Sequence, residues 1–490
     1  MAAAGIESSL EGQPLVKHGG ASSYTGLSSE GRLPLRPSGN SAALTAGILV
    51  ADVVGAGILS MAPAVSRLGY GLGSIAIVFF LLMNVHIALM LWRVQMKCPG
   101  SRTLVGLTSS VFAGSTEEAR MGMVAFAGTA QYVFLIMLLC VYILTIGKSI
   151  GMLFYDVSSC LPMWTLLGSL IVLPMNTSAR KLGTWHSLIW LNCSTICGTI
   201  VIPLVYMMVI GVSESRPASS EMVAVRQGVG FSDVLMASST FAFAFTGQFI
   251  NVEIISEMRD PTEFPKAYVG YSLPFQAVAF LIVGLGGYYY KGDSVTGMIT
   301  DNIPFGPSLR ASAACLTTHM VITYVIKAIV ACRGIQYMVA RPSLDSDSAY
   351  AWRIWVLIVM VVLSVSWTFA QVVPFFVDLT NVVGACMTPA GNWILPIILY
   401  IRCFSDSATK GHGISVAEWC VIALELSISI VLTVAGTYVA GDQILQNWHT
   451  YGGPFGCHCE DMWNTCECSA THAGMEELCL APGAGAGLAR

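Results

Sequence analysis

Three charged side chains stand inside stretches of sequence that are otherwise apolar. Asp52 lies within GILVADVVGAG, Glu253 within FINVEIIS and Lys327 within ITYVIKAIV. A charge in the middle of a bilayer costs several kcal/mol unless it is paired, hydrated or neutralised by a proton. Ionisable groups at that depth are typical of ion pathways and proton relays, so these residues predict ion-coupled chemistry inside a membrane.

Asp52 carries the clearest signal, because no other charge lies in the middle of its span. Burial disfavours the charged form of a carboxyl group, which suits a group that must take up and release a proton. The alternative is that Asp52 caps backbone amides that a helix break has freed. We predict the coupling role.

Glu253, Thr323 and Lys327 complete the predicted coupling group. Glu253 is either a gating or proton-linked residue or the structural partner of a cation. Lys327 either neutralises Asp52 or Glu253 across a helix bundle or extends its ammonium group to the membrane surface. Thr323 adds a hydroxyl oxygen before Lys327, and His319 either titrates near neutral pH or serves as a structural residue.

The element that must hold Asp52 is a span whose middle is a poor helix. Each glycine there costs about 1 kcal/mol of helix propensity relative to alanine, and lipid offers no partner to freed backbone groups. Such an interruption indicates a transporter's binding site, although glycines also let two helices pack closely. Four residues form the predicted first half of the site: Gly55, Ala56, Gly57 and Ile58.

A second interruption lies in the span from Phe231 to Met258. Amides freed after the first break carry positive helix-dipole charge, which suits a carboxylate, and carbonyl groups freed before the second suit an ammonium group. The two breaks therefore predict a site for a zwitterionic amino acid, with phenylalanine rings in its wall. The second half of the predicted site is Phe243, Phe245, Thr246 and Gly247.

The composition is that of a polytopic membrane protein. The chain has 490 residues, of which 55% are hydrophobic and 11% are charged. Soluble domains carry about 25% charged residues. The net charge of −4 does not indicate a nucleic-acid partner. We recognise no metal triad, nucleophile–base group or phosphate loop in the sequence, so we expect neither an enzyme nor a cofactor.

Apolar stretches of helical length predict an all-α membrane protein with about eleven transmembrane helices. They lie at 41–68, 71–94, 121–148, 161–178, 187–211, 232–256, 268–290, 308–332, 353–373, 379–401 and 416–439. Most of the 24 Lys and Arg residues fall on the side of the N-terminus, which the positive-inside rule places in the cytosol. The two interrupted spans then begin on opposite sides, as in a five-plus-five inverted repeat with broken helices 1 and 6.

The chain divides into three predicted regions. Residues 1–40 are rich in Gly, Ser and Pro and are expected to be a disordered cytosolic tail. Residues 41–440 form the transmembrane transporter domain, and residues 441–490 form a Cys-rich tail on the non-cytosolic side. We predict disulfides in that tail, because the space is an oxidising one, and zinc binding is the alternative. The tail cysteines are Cys457, Cys459, Cys466, Cys468 and Cys479.

Several of these stretches resemble the amino acid/auxin permease family, in its plant and auxin-carrier branch. GAGILSMAPAVSRLG resembles the family's first-helix motif, and FAFAFTGQFINVEIISEMRDPTEFPKA resembles its sixth helix and the loop that follows. TNVVGACMTPAGNWILPIILYIR resembles the tenth helix, and His319 with Tyr324 resembles the His-x4-Tyr pair of plant amino-acid permeases. The resemblance implies an eleven-helix, five-plus-five fold, a cytosolic N-terminus and secondary active transport of amino acids.

The chain departs from the family at positions that bear on the coupling ion. Ala51 stands where the sodium-coupled branch has asparagine, and Asp52 stands where a small uncharged residue is usual. Val325 replaces a plant-type glutamine. We therefore predict proton-coupled amino-acid symport across the lipid bilayer of the plasma membrane or of a vacuolar or lysosomal membrane. The alternatives are sodium-coupled symport and a non-transporting amino-acid sensor of the same fold.

The predicted topology places the Cys-rich tail outside the cytosol. A membrane-impermeant thiol reagent, applied after mild reduction, should label the tail from the non-cytosolic side, and mass spectrometry of the tail peptides measures that labelling. Labelling from the cytosolic side alone would contradict the eleven spans and would favour zinc binding instead.

Overall fold

The computed structural model describes residues 39–157, 159–180, 188–344, 346–405, 413–451 and 454–455. Within these ranges the chain is helical, with one isolated β-bridge. The five tail cysteines and nearly all of the N-terminal tail lie outside the described residues, so the disulfide and disorder predictions stay predictions.

Eleven membrane segments follow one another in the described residues, which confirms the predicted all-α membrane fold. Eight runs of helix are long and apolar enough to cross a membrane. The other three are the two interrupted segments and an 18-residue helix with Pro174 inside it. The fourth predicted span coincides with that helix.

We number the segments in chain order. They are segment 1 (Ala42–Val53, Ala56–Leu59, Met61–Leu68), segment 2 (Tyr70–Lys97), segment 3 (Glu117–Leu153), segment 4 (Leu161–Ser178), segment 5 (Leu188–Ile210), segment 6 (Phe231–Ala244, Gln248–Glu257), segment 7 (Lys266–Ser272, Leu273–Lys291), segment 8 (Pro307–Ala340), segment 9 (Ala349–Val372), segment 10 (Phe376–Val382, Val383–Met387, Pro389–Ile394, Leu395–Phe404) and segment 11 (Val416–Val431, Leu432–Gly436, Thr437–Tyr451).

Segments 1–5 and 6–10 form two halves, and each half opens with a broken helix. Successive segments cross in alternate directions, so segments 1 and 6 run opposite to one another. We call the side on which segment 1 begins the N-terminal face. Segments 3 and 8 lie at the centre of the bundle, since 83% and 72% of their most apolar windows are buried. This is the five-plus-five inverted repeat that the sequence predicts.

Segment 11 continues beyond its predicted end at residue 439. Its last helix runs to Tyr451, although the sequence there is polar. Trp448 donates its indole N–H to the Val372 carbonyl at 3.0 Å, and Asn447 bonds to the Asp378 carboxylate. These contacts with segments 9 and 10 give the polar turns partners, which periodicity alone does not reveal.

The break in segment 6 is supported by side chains from neighbouring segments. The Phe249 N–H donates to Asn392 Oδ1 at 3.1 Å, and the Phe249 carbonyl accepts from Gln131 Nε2 at 2.9 Å. Asn392 lies in the π-helical turn Pro389–Ile394 of segment 10. A break in lipid requires partners of this kind, because the bilayer supplies none.

The two broken segments are joined at both ends. At the N-terminal face, the Asn40 N–H donates to the Glu257 carbonyl at 2.9 Å and the Asn40 carbonyl accepts from the Arg259 N–H at 2.8 Å. On the opposite face, Arg67 of segment 1 lies 3.7 Å from the Asp233 carboxylate of segment 6. The start of segment 1 is therefore fixed to the end of segment 6.

Candidate functional site

A small cavity lies between the two breaks, with walls from segments 1, 3, 6 and 8. Seven residues predicted from the sequence line it: Asp52, Ala56, Gly57, Phe243, Thr246, Gly247 and Lys327. The rest of the wall is apolar or aromatic and comes largely from segment 3 and the second half of segment 6: Val53, Phe134, Leu135, Leu138, Tyr142, Ala244, Phe249 and Ile250. The cavity therefore combines one charged pair, exposed helix ends and an aromatic surface.

The charged pair joins segment 1 to segment 8. Lys327 Nζ forms an ion pair with Asp52 Oδ1. The two side chains are only 7% and 10% exposed, so neither extends to the membrane surface. Among the described residues, the hydrogen bond to Asp52 comes from Lys327 and not from an amide of the break. The carboxylate also faces the second break, since a Cβ built on Gly247 would lie 4.0 Å from Asp52 Oδ2.

Gly57 lies where the two broken segments approach most closely. A Cβ at this position would lie 2.9 Å from Ala244 Cβ and nearer still to Ala244 Cα. Gly57 also lines the cavity. Gly57 is therefore a close-packing residue and also a residue of the cavity wall, so the two predicted interpretations do not exclude one another.

The second break carries a hydroxyl pair at the cavity edge. Thr246 Oγ1 donates to the Ala242 carbonyl at 2.9 Å and lies 3.0 Å from Thr388 Oγ1 of segment 10. The Gly247 N–H is 3.3 Å from Gln248 Oε1, and Gln248 Nε2 donates to the Asn84 carbonyl of segment 2 at 3.0 Å. Segments 2 and 10 thereby hold the break in place.

Three of the predicted binding residues lie outside the cavity wall. Ile58 is fully buried, because its side chain belongs to the main apolar core. The Phe245 ring packs edge-on against Phe280, with ring centroids 4.6 Å apart. Gly55 faces His319 of segment 8, whose Nε2 would lie 3.8 Å from an added Cβ. Successive residues point in different directions around a helix, so these three positions face away from the cavity wall.

Glu253 lies on the side of the cavity nearer the N-terminal face. Its Oε1 accepts from the Leu104 N–H at 3.3 Å and from Gln131 Nε2 at 3.3 Å. Glu253 therefore caps the short helix Leu104–Val111 between segments 2 and 3. In the described residues it forms no ion pair with Arg259, Lys266 or Lys327, and its Oε2 is buried without a hydrogen-bond partner.

Thr323 and His319 bind to segment 5 rather than facing the cavity. Thr323 Oγ1 donates to Asn192 Oδ1 at 3.2 Å, and His319 Nδ1 lies 3.0 Å from the Asn192 carbonyl. The other ring nitrogen of His319 is buried with no hydrogen-bond partner in the described part of the chain. Asn192 thus connects segments 5 and 8 beside the first break.

Sequence reasoning missed the contribution of segment 3. Phe134, Leu135, Leu138 and Tyr142 read as ordinary residues of an apolar span, and no polar or glycine signal separates them from their neighbours. The Phe134 ring stacks on Phe249, with ring centroids 4.2 Å apart. Only the packing of segment 3 against segment 6 places these residues in the wall.

The family and the proteins that this chain is similar to carry names that describe amino acid transport. The family model described as "Transmembrane amino acid transporter protein" matches residues 38–439. The amino acid transporter AVT3B of Arabidopsis thaliana is 24% identical over 418 residues, which is 80% of this chain and 91% of that protein. The N amino acid transport system protein of Neurospora crassa is 20% identical over 274 residues, or 53% of this chain and 55% of that protein.

A solved structure shares the fold. The crystal structure of MhsT in complex with L-phenylalanine superposes with a TM-score of 0.57 at 16% sequence identity. The match covers 83% of this chain and all of that one. At this identity the likeness concerns the fold alone.

The close approach at Gly57 gives a test with a matched control on the same segment. Gly57→Ala should push segments 1 and 6 apart, which costs about 1–3 kcal/mol when a packed core is overfilled, and should weaken amino-acid binding. Gly47→Ala should behave as wild type, because nothing lies within 4 Å of the added carbon. Thermal unfolding in detergent and binding of a labelled amino acid measure both effects. Equal stability and binding in the two variants would contradict the close approach.

Proposed function

Because the chain belongs to the transmembrane amino acid transporter protein family, we propose that it moves neutral amino acids together with protons. The observation that carries the proposal is the buried ion pair between Asp52 and Lys327, which connects the first broken segment to segment 8 at the cavity wall. Protonation of this carboxylate would change the charge balance of the proposed substrate site.

The substrate that suits the cavity is a zwitterion with an uncharged, apolar side chain. The amides after the first break suit the carboxylate of an amino acid, since they lie at the positive end of a half-helix. In the bound state, Lys327 pairs with the substrate carboxylate and Asp52 is neutral, so the described wall leaves no counter-ion for a charged substrate side chain. Phe134, Phe243 and Tyr142 offer an aromatic surface to an apolar one.

Coupling follows from the exchange of counter-ions. With Asp52 ionised, Lys327 is satisfied and the substrate carboxylate has no cation to bind. With Asp52 protonated, the Lys327 ammonium is left uncompensated, which is costly in a buried site, and the substrate carboxylate supplies the missing charge. Proton and substrate therefore stabilise one another's binding.

In this mechanism the exchange of counter-ions at Lys327 also permits segments 1 and 6 to move. The ion pair fixes the first half of segment 1 to segment 8, and backbone bonds at Asn40 fix that half to the end of segment 6. Of these two contacts, the ion pair is the one that reaches segment 8, and loss of the Asp52 charge weakens it. The joined ends of segments 1 and 6 can then shift relative to segment 8, which opens and closes a path to the cavity.

The same arrangement favours a proton over sodium as the coupling ion. The fixed ammonium group of Lys327 already occupies the space beside the Asp52 carboxylate. A sodium ion bound there would be repelled by a like charge at short range. The Lys and Arg distribution supports a cytosolic N-terminal face, so inward transport would carry protons into the cytosol across the plasma membrane or a vacuolar or lysosomal membrane.

Uptake into proteoliposomes tests the coupling ion. Accumulation of a labelled neutral amino acid should rise as the external pH falls, and should be unchanged when choline replaces sodium. Uptake that is flat between mildly acidic and neutral pH and that collapses in choline would contradict proton coupling and favour sodium. Binding with no flux under either gradient would favour the amino-acid sensor.

A double variant tests the role of the ion pair. Asp52→Asn with Lys327→Met removes both charges, so that no buried charge is left uncompensated. It should lose accumulation driven by a pH gradient by about tenfold or more, a loss of roughly 1.4 kcal/mol of coupling, while residual substrate exchange stays insensitive to pH.

The chain offers a matched control for that variant. His86 of segment 2 lies 2.8 Å from the Glu425 carboxylate of segment 11, and neither residue lines the cavity. His86→Gln with Glu425→Gln removes a second titratable pair of the membrane region and should keep accumulation driven by the pH gradient. Loss of accumulation in the control but not in the Asp52 and Lys327 variant would contradict the assignment.

A further inference from the structure

One cysteine at the start of segment 4 is already in a disulfide bond. This residue, Cys160, directly precedes the helix on the face opposite the N-terminal face. The chain has 15 cysteines, and nine others in the described residues are free thiols. The partner of Cys160 is therefore to be sought among the five cysteines of the tail: Cys457, Cys459, Cys466, Cys468 and Cys479.

The last described residues carry the chain from segment 11 across the end of segment 9. The Phe455 N–H donates to the Gln371 carbonyl at 3.3 Å, and the Phe455 ring packs edge-on against Trp367, with ring centroids 5.8 Å apart. The helix before it is held on the same segment, because Trp448 donates to the Val372 carbonyl. The tail therefore begins from a fixed place on segment 9.

Gln371 connects that place to the first turn of segment 4. Its Nε2 donates to Thr165 Oγ1 at 2.7 Å, and Thr165 Oγ1 donates to the Leu161 carbonyl at 3.1 Å. Leu161 directly follows Cys160 in the sequence. A single residue of segment 9 thus contacts both Phe455 and the turn that begins at Cys160.

Reach along the chain distinguishes among the five tail cysteines. Cys457 is the first of them and stands two residues after Phe455. An extended chain spans at most about 3.6 Å per residue, so its Cα atom is within about 7 Å of that of Phe455. A disulfide requires Cα atoms roughly 4.4–6.8 Å apart. Cys457 therefore meets this requirement with the shortest length of chain beyond the Gln371 contact.

We propose that Cys160 and Cys457 form a disulfide that ties the C-terminal tail to segment 4. One thiolate attacks an external disulfide, such as that of an oxidised thiol oxidoreductase, and releases one thiol from it. The second thiolate then displaces the remaining external sulfur. Two cysteine thiols and one external disulfide give the bond between Cys160 and Cys457 and two external thiols, and the external disulfide is the species reduced.

The bond connects the two halves of the repeat outside the membrane, because segment 4 belongs to the first half and segment 9 to the second. It also leaves four tail cysteines, an even number that can pair among themselves. A bond of this kind requires that the face opposite the N-terminal face meets an oxidising space, which is the side that the Lys and Arg distribution predicts for the tail. The inference is independent of the substrate and of the coupling ion.

Peptide mapping without reduction tests the pairing on the full-length wild-type protein. Free thiols are blocked with iodoacetamide, and chymotrypsin then cuts beside aromatic residues. Mass spectrometry should find residues 156–164 joined to residues 456–463, and dithiothreitol should separate them. A blocked Cys160 thiol, a bond from Cys160 to a cysteine after residue 463, or a dimer that dithiothreitol dissolves would each overturn the proposal.

Single substitutions test the choice of Cys457 over Cys459, which lies in the same peptide. The joined peptide should persist in Cys459→Ser. In Cys457→Ser it should disappear, and iodoacetamide should then block the Cys160 thiol. The opposite pattern, or a joined peptide in both variants, would overturn the assignment of Cys457.

Limited proteolysis tests whether the bond holds the tail in place. Cleavage follows the population of the open form when opening is fast. Proteinase K should therefore remove the tail of Cys160→Ser about threefold or more faster than that of the wild type. Cys420→Ser should match the wild type, because Cys420 is a free thiol of segment 11. Equal rates in the wild type and Cys160→Ser would overturn the tether.

Discussion

A membrane interior supplies no hydrogen-bond partner to a backbone group that a helix break has freed, and both halves of this protein contain such a break. The second break persists because Asn392 and Gln131 bond to the Phe249 amide and carbonyl. Those side chains come from segments 10 and 3, so the break requires the surrounding helices to be in place. Packing of segment 3 against segment 6 gives the Phe249 carbonyl its partner, and it also forms part of the cavity wall.

A charged side chain inside a membrane needs a partner even more than a freed backbone group does. Asp52 and Lys327 are both nearly inaccessible to solvent, and each is tolerated because the other lies beside it. The pair is formed across two halves of the repeat, since segment 1 belongs to the first and segment 8 to the second. The proposed coupling therefore depends on one contact between the two halves. Under the proposed mechanism, a single protonation of Asp52 would therefore affect substrate binding and helix movement together.

Most of the fold was predictable, because long apolar stretches and glycine interruptions are local features of the sequence. The two breaks, their opposite directions and the eleven segments follow from such features. For Lys327 the sequence predicted a pairing with Asp52, a pairing with Glu253 or a place at the membrane surface, and only packing decides among them. Tyr142 and Phe134 carry no local signal at all, and Thr323 and Phe245 point away from the cavity because of rotations about their helices that hydropathy does not fix.

The most direct test of the account is a double-mutant cycle on the free energy of unfolding. Asp52→Asn and Lys327→Met, made singly, should each destabilise the protein by about 3–5 kcal/mol, because each leaves a buried partner uncompensated. The double variant should recover most of that loss, and reversible unfolding in detergent measures all four proteins. Losses that simply add in the double variant would show that the two residues do not interact, and would contradict the coupling mechanism built on their contact.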